Sequence, residues 1–152
     1  MKIALIGYGK MGKEIEKIAV KRNHTIALKT TSSDKNFDLT NIDVAIDFSI
    51  PEAAVSNISK CLKQNIPVIS GTTGWLDDFS VIEELCMEKK GAFIYASNFS
   101  LGVNLFFELN KQLSKMMQQF EDYNVSIEEI HHTQKLDAPS GTAISLANDI
   151  ID

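Results

Sequence analysis

The sequence is poor in several residue types, and each shortage excludes a class of protein. It has only two cysteines in 152 residues, and Cys61 and Cys86 show neither C-x-x-C spacing nor a neighbouring histidine. We therefore expect buried, reduced thiols instead of a disulfide framework or a zinc site. It also has only three prolines and no internal repeat or low-complexity segment, so a disordered or fibrous chain is excluded.

Long apolar runs and an excess of positive charge are missing as well. No stretch reaches the roughly 18 apolar residues of a membrane span, and the N-terminal run KIALI is followed by a glycine turn, not by a signal-peptide cleavage site. The net charge of −5 disfavours nucleic acid, since no Lys/Arg cluster counteracts it. We expect a cytoplasmic protein with neither a membrane nor nucleic acid as a partner.

What the chain does contain is an alternation of short apolar segments with segments of helical period. The apolar segments cover residues 2–6, 25–29, 43–48, 67–70 and 92–96. Such alternation is typical of a parallel sheet with helices on both faces. The sequence predicts a Rossmann-type, doubly wound α/β domain over residues 1–99. Ser49 and Glu52 match the S-x-x-E capping box, which places a helix directly after the third strand.

After about residue 100 the pattern changes. Residues 102–120 form one long amphipathic segment, residues 123–132 alternate like a half-buried strand, and residues 141–152 again have helical period. A single strand does not make a stable sheet. Residues 100–152 are therefore expected to be the start of a second, α+β domain.

The segment GYGKMG follows the first predicted strand and opens the first predicted helix, which is the context that gives a G-x-G-x-x-G pattern its meaning. Gly7 permits a tight turn, Gly9 lets the backbone approach a pyrophosphate, and Gly12 lets the helix pack close to the strand. The N–H groups at the helix start then face the anion. The motif predicts dinucleotide binding, against the alternative of a structural glycine turn.

The segment after the second strand, LKTTSSDK, lacks the acid that often reads the ribose at its start. Thr30, Thr31, Ser32 and Ser33 occupy that place, with Lys29 and Lys35 nearby. Small hydroxyl residues and lysines can accept a 2′-phosphate, so NADPH is allowed and mildly favoured. Asp34 is the alternative, because a short loop can bring its carboxylate to a 2′-hydroxyl, as NADH requires.

Two further loops follow the fourth and fifth strands, at the sheet edge where open α/β folds bind ligands. In SGTTGW, the groups of Gly71, Thr72 and Thr73 can lie close to a nicotinamide ribose, and ASNFSLGVN follows the fifth strand. We interpret Trp75 and Phe99 as covers for the rim of the sheet.

The stretch EEIHHTQKLDAPSGTA uses two of the chain's three histidines. Adjacent side chains on a strand face opposite ways, so His131 and His132 cannot easily bind one metal ion, and no metal is expected. Lys135 adds a cation, and Asp137 or Ser140 can cap the last helix. Imidazole, ammonium and a helix N-terminus together fit a small carboxylate substrate whose reaction needs a proton.

Taken together, these segments resemble the bacterial 4-hydroxy-tetrahydrodipicolinate reductase family, also called dihydrodipicolinate reductase, of the diaminopimelate and lysine pathway. The resemblance rests on GYGKMG, GTTG, SNFSLGVN and above all EEIHHTQKLDAPSGTA. It implies reduction of a cyclic dicarboxylate with NADPH or NADH, and a second domain for substrate binding and tetramer formation. The chain carries only the beginning of that domain, so one alternative is a nucleotide-binding module or subunit that is inactive without the rest. Another alternative, a different Rossmann oxidoreductase such as an aspartate dehydrogenase, would require the stretch with His131 and Lys135 to be incidental.

By motif position, the resemblance implies that His131 is the proton donor and acceptor and that Lys135 is a second proton donor. The substrate's carboxylates would be bound by His132, Ser140, Gly141 and Thr142. Thr31 and Ser32 replace the family's acidic-basic pair, which leaves the cofactor preference open. The expected cofactor-binding residues are Gly7, Tyr8, Gly9, Lys10, Met11, Gly12, Thr31, Ser32, Gly71, Thr72, Thr73, Ala96, Ser97, Asn98 and Phe99.

Overall fold

The computed structural model describes residues 1–34, 36–131, 133 and 138–151. It divides into two compact units, Met1–Ala96 and Ser97–Asp152. The sequence placed the boundary between residues 99 and 100, and the structure places it between residues 96 and 97. The assignment of one unit to dinucleotide binding and the other to substrate binding stays a prediction.

The first unit is built on a five-stranded parallel sheet with the order β2-β1-β3-β4-β5. The strands are β1 (Lys2–Ile6), β2 (Thr25–Thr30), β3 (Val44–Asp47), β4 (Val68–Ser70) and β5 (Phe93–Tyr95). Every strand end lies within one residue of the predicted segment, and the predicted α/β class is confirmed. Because the chain runs from β1 outward to β2 and then returns to β3 on the other side of β1, the order reverses there, where such sheets bind ligands.

Helices cover both faces of the sheet. They are α1 (Lys10–Lys21), α2 (Pro51–Lys63) and α3 (Phe79–Glu88), the last preceded by a 3₁₀ turn at Leu76–Asp78. The side chains of β1 contribute to the core on both faces of the sheet. Ile3 and Leu5 pack in a cluster with Ala19 of α1, whereas Ala4 and Ile6 belong to the larger core on the other face. Fully burying each large aliphatic side chain contributes roughly 1.5–3 kcal/mol, so this two-sided core stabilises the unit.

The predicted capping box at Ser49 is wrong. α2 begins at Pro51 with Ile50 as its N-cap, so Ser49 stands one residue too early to cap it. Instead, the Ser49 hydroxyl accepts a hydrogen bond from the side-chain amide of Asn57 at 3.2 Å. This arrangement places Ser49 at the sheet edge, where it contributes to the site described below.

Both cysteines are free thiols. Burial raises the pKa of the Cys61 thiol to about 12, so it is protonated and unreactive. Cys86 is only half-buried, and the expected burial therefore holds for Cys61 alone. No helix in the described part of the chain is long and apolar enough to cross a membrane.

The second unit contains the helices α4 (Leu101–Met117) and α5 (Gly141–Ile151). Along α4 the less exposed side chains form what we call the inner stripe, which consists of Val103, Phe107, Asn110, Ser114 and Met117. The Asn110 amide donates to the carbonyl oxygen of Leu146 in α5 at 3.1 Å. The outer stripe is at least half exposed and consists of Leu101, Leu105, Phe106, Leu109, Leu113 and Met116.

The strand predicted over residues 123–132 is absent from the described residues 123–131. Val125 and Ile130 are 61% and 86% exposed, so the segment is not half-buried either. A strand needs a neighbour for its backbone hydrogen bonds, and within the described residues no strand pairs with this segment. The alternation of apolar and polar residues alone therefore does not determine the conformation of this segment. His132 lies outside the described residues.

Candidate functional site

A cavity of about 730 Å³ opens at the carboxyl ends of β1, β2 and β3. Its volume lies in the range of small-molecule and cofactor sites, roughly 300–1,000 Å³. Three segments line it: the glycine turn after β1, the hydroxyl-rich loop after β2, and the stretch that runs from Phe48 after β3 into the first turns of α2. Five predicted cofactor-binding residues belong to this lining, namely Gly7, Tyr8, Gly9, Thr31 and Ser32.

The three glycines of the turn have different surroundings. Gly7 has a φ of +91°, and a Cβ there would lie 2.1 Å from the carbonyl oxygen of Phe48. At Gly12 a Cβ would lie 2.5 Å from the carbonyl oxygen of Gly7, because α1 packs tightly on the turn. A Cβ on Gly9 would meet nothing within 4 Å. The fold thus requires Gly7 and Gly12, whereas Gly9 leaves its backbone open to a ligand.

The start of α1 is suited to an anion. Gly9 is its N-cap, no described side chain caps it, and its first turn contains no acidic residue. The first N–H groups of a helix lack intrahelical partners and carry a partial positive charge. A phosphate in the cavity beside Gly9 would satisfy them.

The loop after β2 places a carboxylate at the cavity. Asp34 accepts hydrogen bonds from the Thr31 N–H and hydroxyl, both at 2.8 Å, and it lines the cavity. These hydrogen bonds, with that from the backbone first, hold the pKa of Asp34 below its usual value. Lys29 instead forms an ion pair with Glu16 at 2.6 Å and lies 4.8 Å from the centre of the Tyr8 ring. Lys35 lies outside the described residues.

A fully buried carboxylate lies beneath the site. Asp47 ends β3 with 0% exposure, and one oxygen accepts from the hydroxyls of Ser70 at 3.0 Å and Thr72 at 2.7 Å. The other oxygen accepts from the Asn57 amide at 3.3 Å. Thr72 in turn accepts from the Ser49 N–H at 2.9 Å. Asp47 therefore ties together β3, α2 and the loop after β4.

A smaller cavity of about 220 Å³ adjoins the first and shares Phe48 and Ser49 with it. The predicted residues in its lining are Met11, Gly71, Thr72 and Thr73. The structure therefore brings the glycine turn and the loop after β4 to one continuous edge. Trp75 donates its indole N–H to the Thr72 carbonyl at 2.6 Å and is 4% exposed, so it is a core residue that also anchors this loop.

Other predicted cofactor-binding residues do not line either cavity. Lys10 begins α1, Gly12 packs beneath the turn, and the Ala96 N–H donates to the Ser70 carbonyl at 3.3 Å. The remaining three, Ser97, Asn98 and Phe99, belong to the second unit. Of these, Asn98 accepts through its side-chain oxygen from the Ser100 N–H at 2.8 Å, next to the start of α4. Their role toward a cofactor stays a prediction.

In the second unit a carboxylate joins two of the predicted residues. The Nε2 atom of His131 lies 2.8 Å from Glu129, which also accepts from the Ser140 N–H at 2.8 Å and from its hydroxyl at 2.6 Å. These contacts, with those of Ser140 and His131 first, lower the pKa of Glu129 to about 2. Ser140 is 3% exposed and accepts from the Ala143 N–H at 3.1 Å, so it caps α5.

Gly141 and Thr142 are the first two residues of α5, and both are half-buried. Their backbone N–H groups belong to the helix N-terminus that Ser140 opens, where an anion is favoured. His132 and Lys135, the other two residues predicted for substrate binding and proton transfer, lie outside the described residues.

Comparison with known proteins finds a matching family model for each of the two parts of the chain. A family model described as dihydrodipicolinate reductase, N-terminus, matches residues 26–99, and one described as dihydrodipicolinate reductase, C-terminus, matches residues 102–152. The chain belongs to the dihydrodipicolinate reductase family. The resemblance inferred from the motifs is confirmed.

Individual members of this family match over nearly the whole chain. A 4-hydroxy-tetrahydrodipicolinate reductase of Christiangramia forsetii is 60% identical over 100% of the chain and 64% of its own length. One of Thermosipho africanus is 37% identical over 97% of the chain and 66% of its own length. A solved structure, the dipicolinate-bound dihydrodipicolinate reductase of Paenisporosarcina sp. TG-14, aligns with a TM-score of 0.71 at 28% identity, covering 99% of this chain and 65% of that one.

The chain therefore spans slightly less than two thirds of the length of these reductases, from 64% to 66%. Sequence reasoning had missed several residues that build the site in this member of the family. They are Asp47, Ser49, Asn57 and Glu129. A signal was present for Asp47, because an acid ends the otherwise apolar strand VAID.

Proposed function

We propose that this chain provides the dinucleotide-binding part, and the start of the substrate-binding part, of a 4-hydroxy-tetrahydrodipicolinate reductase. Such an enzyme reduces a cyclic dicarboxylate with NADH or NADPH in diaminopimelate and lysine biosynthesis. The observation that carries the proposal is the cavity at the carboxyl ends of β1 and β3, where the Gly9 backbone and the start of α1 are open to an anion.

Within the two cavities each segment would bind a different part of the dinucleotide. The start of α1 would hold the pyrophosphate, and the loop with Thr31 and Asp34 would hold the adenosine ribose. The smaller cavity at Thr72 and Thr73 would take the nicotinamide end. When bound, the nicotinamide supplies the hydride. Asp47 holds Thr72, and through it Ser49, in one arrangement at this edge.

The proton would come from His131, assisted by Lys135. Glu129 supports this role, since its carboxylate lies 2.8 Å from Nε2 and fixes the orientation of the imidazole. The substrate's carboxylates would bind at the start of α5 through His132 and the N–H groups of Gly141 and Thr142. Ser140 would position this helix start, because its hydroxyl is already bonded to Glu129 and to the Ala143 N–H.

A second candidate is a nucleotide-binding subunit that is inactive without further substrate-domain structure. The chain's partial span of its relatives favours it, as does the outer stripe of α4, whose apolar side chains are exposed. Family members are expected to form tetramers, and in this second candidate the chain would bind its dinucleotide without assembling a working site for the dicarboxylate.

An assay with separate readouts for binding and turnover discriminates between these candidates. NADH or NADPH is titrated by calorimetry, and turnover is followed as loss of the nicotinamide absorbance with enzymatically generated substrate. The reductase predicts turnover that falls at least about 100-fold in His131→Ala, with cofactor affinity unchanged. His24→Ala, which changes the histidine of the first unit, is the matched control and should retain turnover. Binding without turnover in the unmodified chain would favour the second candidate, and no binding would reject both.

A further inference from the structure

We propose that Asp34 makes this chain selective for NADH over NADPH. The inference rests on the proposed function, because it concerns the adenosine ribose end of the same cavity. It is opposite to the mild preference for NADPH that the sequence indicates through Lys29, Lys35 and the hydroxyl residues of this loop.

The first argument is the position of the carboxylate. Asp34 lines the larger cavity together with Thr31 and Ser32, just beyond the carboxyl end of β2. In dinucleotide-binding folds this is where an acid meets the 2′-hydroxyl of the adenosine ribose. Here the acid stands three residues beyond Thr31, the first residue after the strand.

The second argument is that the carboxylate is held in place. One of its oxygens accepts from both the N–H and the hydroxyl of Thr31 at 2.8 Å, and the Thr31 hydroxyl lies 2.7 Å from that of Ser33. These bonds keep the pKa of Asp34 below its usual value, so the group is charged at neutral pH. A fixed anion accepts hydrogen bonds from ribose hydroxyls and repels a phosphate.

The third argument is the shortage of compensating positive charge. Lys29 is engaged by Glu16 at 2.6 Å, and a second acid, Glu52, also lines the cavity. Among the described residues of the lining there is no lysine, arginine or histidine. The 2′-phosphate of NADPH would therefore enter a site that carries two carboxylates and no described cation.

Calorimetric titration with NADH and with NADPH tests the inference. We expect NADH to bind at least about tenfold more tightly, since the extra phosphate charge of NADPH meets Asp34 at close range. Asp34→Asn removes the charge and keeps an oxygen for the Thr31 N–H. It should therefore tighten NADPH binding and bring the two dissociation constants to within about threefold of each other.

Asp38→Asn is the matched control. Asp38 accepts from the N–H and hydroxyl of Thr40 at 2.9 and 2.6 Å, a motif similar to that at Asp34, but it does not line the cavity. The substitution changes the net charge equally and should leave the NADH preference intact. Equal or tighter NADPH binding by the unmodified chain would overturn the proposal, as would an unchanged preference in Asp34→Asn or an equal loss of preference in Asp38→Asn. If neither dinucleotide binds, the proposed function fails and the inference fails with it.

Discussion

The two units of the chain differ in how completely they cover their apolar side chains. In the first unit, Ala45, Ile58 and Ile82 have 0% exposure, and helices shield both faces of the sheet. Among the described residues of the second unit, Ala143 is the one buried apolar residue, while Leu105 and Leu109 of the outer stripe are 62% and 60% exposed. The first unit therefore fixes its cavities by its own packing. The second presents helices with an apolar stripe that its described residues leave uncovered.

The largest expected effect separates the roles of two glycines in the first unit. In Gly7→Ala the new Cβ meets the Phe48 carbonyl and the residue keeps a positive φ, so we expect a loss of at least about 2–3 kcal/mol of unfolding free energy. Gly9→Ala should stay within about 0.5 kcal/mol of the unmodified chain but weaken NADH binding, because its methyl group enters the cavity. Urea unfolding followed by Trp75 fluorescence measures the unfolding free energy of both variants, and calorimetric titration measures their NADH binding. Equal destabilisation by the two variants would contradict this separation.

The next effect concerns the buried carboxylate of the first unit. Asp47→Ala would leave the side-chain donors of Ser70, Thr72 and Asn57 without their common acceptor, at a cost of about 1–3 kcal/mol. It should also weaken NADH binding, because Thr72 and Ser49 lose their support. Asp43→Ala is the control: this exposed acid accepts from the Lys2 N–H at 2.6 Å, and its loss should be nearly neutral for binding. Unchanged NADH affinity in Asp47→Ala would show that the network does not shape the site.

In the second unit, the two stripes of α4 should respond differently. Phe107→Ala on the inner stripe removes half-buried apolar surface and should cost about 1–2 kcal/mol. This loss should appear as faster amide hydrogen exchange in α5. Leu109 on the outer stripe is 60% exposed. Leu109→Ala should therefore change the free energy derived from amide hydrogen exchange by less than about 0.5 kcal/mol. A larger effect at Leu109 than at Phe107 would mean that the outer stripe is covered in solution.

The smallest expected effect is a pH dependence at the start of α5. The pKa of Glu129 is lowered from 4.5 to about 2, so its contribution to folding is fully present above pH 4.5 and is lost as the pH falls through about 2. The amide resonance of Ser140 should therefore stay constant from pH 7 down to about pH 4 and move below that pH. Glu129→Gln should abolish the movement. A midpoint near 4.5 in the unmodified chain would contradict the contacts with Ser140 and His131.

The sequence located the strands well because buried parallel strands are nearly continuous apolar runs. The sequence did not predict the structure where the conformation of a segment depends on another segment that packs against it. The alternating segment 123–131 has no strand beside it, and an amphipathic pattern locates a helix such as α4 without saying what covers its outer face.

The candidate site shows the same contrast between features that local patterns identify and features that depend on partners distant in the chain. The glycine turn and the loop after β4 could be identified from local patterns. Asp47 could not be assigned a role, because Ser70 and Thr72 are 23 and 25 residues away in the chain. Only the pairing of β3 with β4 brings them together. Glu129 was missed for the same reason, since its partner Ser140 lies 11 residues farther along.

The central claim, that the cavity at the carboxyl ends of β1 and β3 binds the dinucleotide, is tested most directly by mapping amide chemical-shift changes during an NADH titration. We predict that the changes concentrate at the backbone of Gly9 and Met11, of Thr31 and Asp34, and of Thr72, while Asp43 and Gly91, which line neither cavity, stay unchanged. Changes centred elsewhere in the chain, or none at saturating NADH, would contradict the claim.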